Sequence, residues 1–152
     1  MIIRDELEMD FPAGFEKMKT ESSQFPAGLP EICVRDAGRH MIVSVGFKRL
    51  GAFAGFMLNV GDVVKVMETS SRRMMQSYSF ESAGRCETQV GGRTGKGFRY
   101  RYTADTGVRM YGESFVVKEK RNLYYFHLYS NEAHEEENVR LWTELLSSAK
   151  WL

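Results

Sequence analysis

The sequence predicts an α+β fold: an antiparallel meander sheet joined to one central helix and one closing helix. Three observations predict it. Three or four stretches between residues 79 and 130 read as strands separated by short turn sequences. From Asn59 to Tyr78 the apolar spacing changes to a helical period. After Ser130 a cluster of glutamates precedes a second helical stripe. The chain has 152 residues, 43% of them hydrophobic, which suits one domain spanning 1–152 with a packed core.

The elements follow in order. "DELEMDF" alternates, with Leu7, Met9 and Phe11 on one face, and ends at the turn Pro12-Ala13-Gly14. Residues 16–30 lack a period, and Pro26 and Pro30 break them. "EICVRDAGRHMIVSVGFK" reads as a hairpin: Ile32 and Val34 alternate on one arm, Met41, Val43, Val45 and Phe47 on the other. Asp36-Ala37-Gly38-Arg39 is the turn, with Gly38 free to take a positive φ. "RLGAFAGFMLN" fits a strand, a short helix or a loop over the core. In the central helix, Val60, Val63, Val64, Met67, Ser71, Met74 and Tyr78 form the stripe. Asn59 or Asp62 caps it, and Arg72 and Arg73 suit its negative end. The meander strands span roughly 79–90, 93–103, 108–118 and 122–130, numbers set by the turn signals at 91–92, 105–107 and 118–121. Ser130 or Asn131 caps the closing helix, whose stripe is Val139, Trp142, Leu145, Leu146 and Ala149.

Turn lengths set which residues share a sheet face. A turn at 104–107 places Tyr100 beside Tyr111 and Arg101 beside Met110. A turn at 118–121 places Phe115 beside Tyr124 and Met110 beside Tyr129. One face then carries Phe98, Tyr100, Tyr102, Tyr111, Phe115, Tyr124 and Phe126. The other carries Arg99, Arg101, Met110, Ser114, Val116, Tyr125, His127 and Tyr129. The first is a core face. The second is too aromatic for open solvent and too polar for a core, so helices are expected on both sides of the sheet.

"QVGGRTGKGFRYRY", Gln89 to Tyr102, is the one stretch that invites a chemical reading. As a phosphate loop it fails twice: Val90 stands where the first glycine belongs, and Lys96 is followed by Gly97 rather than Ser or Thr. As a nucleic-acid surface it has Arg99 and Arg101 between aromatics, but alternation puts the two sets on opposite faces, and a net charge of +1 supplies no basic excess. A Gly91-Gly92 hairpin feeding a long strand explains it. The histidines, His40, His127 and His134, lie far apart, with no HxxxH or CxxC spacing, so neither metal nor cofactor is expected. Cys86 and His127 are a conceivable nucleophile and base, but "RCETQV" is strand rather than elbow, and a buried thiol is the plainer reading.

"LEMDFPAGFE", "VGGRTGKGFRYRYT", "YYFHLYS" and "VRLWTELLSSAKW", in this order around a central helix, resemble the Mog1/PsbP-like superfamily, including its bacterial DcrB-like branch. The resemblance covers most of the chain in layout and carries no catalytic signature. It implies an αβα sandwich around an antiparallel sheet. It also implies an adaptor-like role, since members include a GTPase-binding factor, a photosystem subunit and chaperones for secreted effectors. No functional residue transfers from it.

The leading expectation is therefore a non-catalytic protein-binding or adaptor domain, including a chaperone-like binder of a protein segment. The alternative is a small-molecule-binding protein or enzyme with a pocket near Arg99 and His127. The expected binding face is Arg99, Arg101, Tyr125, His127 and Tyr129, because arginine and tyrosine favour interfaces. A second candidate patch is Phe53, Phe56, Met57 and Leu58. The expected partner is a protein, a second copy of the chain included, with no nucleic acid and no membrane span. "MIIRDELEMDF" puts acids where a secretion signal needs apolar residues, and two cysteines suit a reducing compartment, so a cytoplasmic location is expected.

Overall fold

The computed structural model describes residues 1–19 and 30–152. The chain opens with a small hairpin, β1 (Ile2–Ile3) and β2 (Leu7–Glu8), and then β3 (Glu16–Lys17). It continues with β4 (Ile32–Asp36), β5 (Met41–Arg49), a short helix α1 (Ala52–Met57) and the central helix α2 (Val60–Met74). The meander is β6 (Glu81–Val90), β7 (Arg93–Thr103), β8 (Arg109–Glu119) and β9 (Asn122–Asn131). It is followed by α3 (Glu135–Ser147) and β10 (Lys150–Trp151).

Seven strands form one antiparallel sheet in the order β3-β4-β5-β9-β8-β7-β6. The chain builds it from one edge to the middle, crosses through α1 and α2 to the far edge, and meanders back until β9 meets β5. The separate three-stranded sheet β1-β2-β10 packs with α3 on one face of the large sheet, and α2 covers the other. This is the α+β sandwich of helix, antiparallel sheet and helix that the sequence predicts.

The α3 side holds the larger core. Trp142, Leu145 and Leu146 bury themselves against Phe115, Tyr124, Phe126 and Leu128, with Ile3, Leu7 and Met9 from the N-terminal hairpin completing the cluster. The expected strand over residues 5–11 is thus broken. Arg4 and Asp5 both have positive φ, turning the chain into a hairpin before Leu7. The α2 side has a second cluster, including Leu50, Val64, Met67, Phe98, Tyr100, Val116 and Leu123.

Local chemistry accounts for the element ends. The Asn59 side chain accepts a hydrogen bond from the Gly61 N–H at 2.7 Å and starts α2, as a cap should. The Asn131 side chain accepts from the Ala133 N–H at 2.9 Å and opens the turn into α3. Three glutamates occupy the first turn of α3, where its dipole favours them. Gly91 and Gly92 take φ of 56° and 82° in the β6–β7 turn, and a Cβ on Gly91 would come within 2.5 Å of the Ala149 carbonyl oxygen. That stretch is a hairpin, and no helix follows it. In the β4–β5 turn the left-handed residue is His40, φ 55°, rather than Gly38. The edge strand β6 carries a bulge between Ser82 and Gly84. Of the irregular stretch 16–30, residues 20–29 lie outside the described residues.

Candidate functional site

The face expected to gather two arginines with Tyr125, His127 and Tyr129 does not form, and one loop explains why. The β7–β8 connection spans residues 104–108. The Ala104 N–H donates to the Val108 carbonyl at 2.9 Å, and Gly107 takes φ 83°. Asp105, Thr106 and Gly107 thus make a three-residue turn, and Arg101 faces Tyr111 rather than Met110. A one-residue shift of register moves a whole strand's side chains to the opposite face. Phe98, Tyr100 and Tyr102 therefore lie on the α2 side, and Arg99 and Arg101 on the α3 side. The β8–β9 turn differs from expectation by two in register, pairing Phe115 with Phe126, so the faces of β8 and β9 stand as predicted.

On the α3 side Arg101 donates to both carboxylate oxygens of Glu135, at 3.0 and 2.8 Å, and to Glu132 at 3.1 Å. It also lies over the Tyr111 ring. It is a tie between the sheet and the start of α3. Arg99 is exposed and sits opposite Glu113. Glu113 is buried, accepts from the Tyr111 hydroxyl at 2.6 Å, and has its carboxyl pushed up by burial against the opposing pull of Tyr111 and Arg99.

On the α2 side Tyr125, His127 and Tyr129 do converge, on a cavity of about 420 Å³ between α2 and the sheet. Tyr100 and Ser114 line its floor, Ser44 and Gly46 belong to its β5 wall, and Val63, Val66, Met67 and Met75 face it from α2 and the residue after. The Tyr100 ring lies over Gly112, where a Cβ would come within 2.4 Å of it, so the missing side chain makes room for the ring. Ser114 Oγ and His127 Nδ1 are 2.7 Å apart, and the Tyr100 hydroxyl is 3.5 Å from Ser114 Oγ. Burial holds the His127 imidazole down at about 4, so the ring is neutral at physiological pH. Lys48 is the one permanently charged residue on the described lining. Ser114, Tyr100, Met67 and Val66 complete this site. Ser114 already shares the expected face with Tyr125, His127 and Tyr129, and Met67 lies on the α2 stripe; Tyr100 joins them only in the observed β7 register, and Val66 lies off that stripe.

Two features of the serine–histidine contact speak against a catalytic role. Ser114 is 1% exposed in the middle of a strand, and an imidazole titrating near 4 is a poor base at neutral pH. Among the described residues the ring's hydrogen-bond partner is Ser114, with no carboxylate on it in the manner of a triad. Cys86 is not its partner either. It packs with the α3-side core, and burial pushes its thiol up to about 11, keeping it protonated. His40 and His134 stack with ring centroids 4.5 Å apart beside the ends of β5 and β9, and neither lines the cavity. Among the described residues no three His, Cys, Asp or Glu side chains are grouped as a metal site requires.

The second candidate patch divides. Phe53, Phe56 and Met57 are 79%, 85% and 62% exposed on α1, whereas Leu58 is half-buried against the α2-side core. No helix among the described residues is long and apolar enough to cross a membrane.

No protein-family model matches the chain, and no curated protein matches it. Solved structures do. The solution structure of cyanobacterial PsbP (CyanoP) from Synechocystis sp. PCC 6803 is similar over 98% of this chain and 88% of its own, with a TM-score of 0.73 at 16% identity. The chain has the Mog1/PsbP-like fold. LpqN of Mycobacterium tuberculosis, involved in cell envelope biogenesis, is similar with a TM-score of 0.58 at 10% identity, over 95% of this chain and 82% of its own. PA94 of Pseudomonas aeruginosa, a putative regulator, is similar with a TM-score of 0.54 at 10% identity, over 88% and 78%. At these identities the likeness is one of fold.

Proposed function

We propose that the protein is a non-catalytic binding domain, an adaptor that takes an uncharged, largely apolar part of a protein segment into the cavity beneath α2. The observation that carries this reading is the character of that cavity. Its volume of about 420 Å³ lies within the range of ligand pockets. Its walls are valine, methionine and tyrosine, and its floor holds a neutral imidazole already bonded to a serine hydroxyl. Such a floor favours groups that need no counter-charge, because an unpaired charge moved there from water would be costly. Lys48 gives the lining one cation that an acidic neighbour in the segment could meet.

A second reading has the same cavity hold a free small molecule, with the Ser114–His127 pair as its polar anchor. A peptide-display selection on the whole chain separates the two. The adaptor reading expects apolar-rich segments to be enriched and expects Val66→Trp, which narrows the opening from an exposed position of α2, to weaken them at least about tenfold. Enriched peptides that bind the variant equally well would move the partner surface elsewhere. Failure of any peptide to bind, together with saturable uptake of the uncharged dye N-phenyl-1-naphthylamine that Val66→Trp blocks, would favour the small molecule.

A further inference from the structure

The short helix α1 exposes more apolar side chain than any other part of the described chain, and it does so as a projection. Phe53 and Phe56 are three residues apart and Met57 is four from Phe53, so all three crowd one side of the helix. Exposures of 79%, 85% and 62% leave these side chains without a groove around them. The helix is nevertheless fixed at its base. The Arg121 stem lies against Gly55, where a Cβ would be 3.2 Å from Arg121 Cγ. The Leu50 N–H donates to the Arg121 carbonyl at 2.8 Å, and Lys118 Nζ donates to the Leu58 carbonyl at 3.4 Å.

The same contacts place a basic collar under the apolar tip. Lys48 and Arg49 end β5 where it pairs with the start of β9, and Lys118, Lys120 and Arg121 form the β8–β9 turn region beside them. Among the described residues none of these five is in a salt bridge, whereas Glu119, the acid within the cluster, is bound to Arg93 at 2.9 Å. The overall charge of +1 hides this local concentration.

We infer that α1 and the basic strand ends beneath it dock on the surface of a bilayer containing anionic lipid. The tip's phenylalanines would enter the boundary between headgroups and acyl chains, and the cations would meet lipid phosphates. Three observations favour a bilayer over an acidic protein. The apolar group protrudes and needs a soft surface to enter, Lys118 and Arg121 touch its base while Lys48 and Arg49 lead into it, and a helix of six residues offers too little area for a stable protein interface alone.

Flotation of the full chain with vesicles tests this. Vesicles of phosphatidylcholine mixed with phosphatidylglycerol should carry the protein at least about tenfold better than phosphatidylcholine alone, and the difference should shrink with added salt. Phe53→Ser with Phe56→Ser should remove most of the binding, as should Lys120→Glu with Arg121→Glu, both with an unchanged melting temperature. As a second measurement, Phe56→Trp should add a tryptophan emission that shifts to the blue on the anionic vesicles. No recovery on anionic vesicles, equal recovery on both compositions, or a tip variant that floats like the parent would overturn the proposal. So would a dimer in solution that the phenylalanine variants split, since the tip would then be covered by a second copy.

Discussion

On the α3 side of the sheet, Trp142 and its neighbours fill the space between helix and strands, and an acid, Glu113, is buried among them. On the α2 side, Val64 and Met67 reach the sheet but leave a cavity, and a half-buried base, His127, lines it. Both groups are driven toward their neutral forms by burial, which raises the carboxyl and lowers the imidazole. The contrast is physical: one face gains its stability from close packing, and the other gives up contacts around a cavity. Dispersion is lost wherever a side chain has no neighbour, so a face with a cavity is the less expensive one to open.

Four experiments break or sharpen that contrast. Trp142→Ala should cost about 3–5 kcal/mol, because it removes the largest fully buried side chain from the packed face. Denaturant unfolding reads it, and a loss of under about 1 kcal/mol would mean that α3 is not docked.

Titration should separate the faces by sign. His127 is held near 4 when folded against an ordinary 6.5, so the unfolded chain binds more protons between those values and stability is lost as pH falls through that window. The full difference is about 3 kcal/mol, and His127→Gln should remove it. Glu113 acts the other way: its raised carboxyl makes the folded state the better proton binder, so its contribution is lost as pH rises. Glu113→Gln should therefore steady the protein at neutral and higher pH. Melting temperatures across pH for the two variants check both signs.

Met67→Ala should cost about 2 kcal/mol, at the low end for a buried methionine, since part of its surface already faces the cavity. A cost equal to that of Trp142→Ala would mean that the two faces are packed alike. The smallest effect compares two arginines on one strand face. Arg101→Ala should cost about 1 kcal/mol through its forked contact with Glu135 and its contact with Glu132, whereas Arg99→Ala should stay within about 0.5 kcal/mol. Parallel melts of the two single variants suffice.

Much of this frame was legible in the sequence, and what was missed has identifiable causes. β7, α2 and α3 are long enough for their periods to repeat several times, so their positions could be read directly. β1, β3 and β10 are two residues each, too short for any period to show. α1 has six residues, which is under two turns. The candidate site was half legible. Tyr125, His127 and Tyr129 share a strand, and alternation alone groups them. Joining them to Arg99 and Arg101 required the register across residues 104–108. There, a four-residue turn and a three-residue turn of similar composition place opposite faces of β7 toward the cavity. Sequence periodicity fixes parity within a strand, and only the turn fixes it between strands.

The bulge between Ser82 and Gly84 has a bearing on how copies of this protein behave in crowded solution. Among the described residues β6 is the outermost strand of the seven, with no strand paired to its outer side. An uninterrupted strand of ten residues there would offer a template for another chain to pair with. Gly84, at φ 102°, puts a kink in that template, and Glu81, Arg85 and Glu87 charge the strand on either side of it. Edges of this kind resist stacking of sheet upon sheet edge. Replacing Gly84 with a strand-forming residue and the flanking charges with threonine is thus expected to turn a soluble edge into a sticky one, seen as concentration-dependent light scattering with little change in the fold of the single molecule.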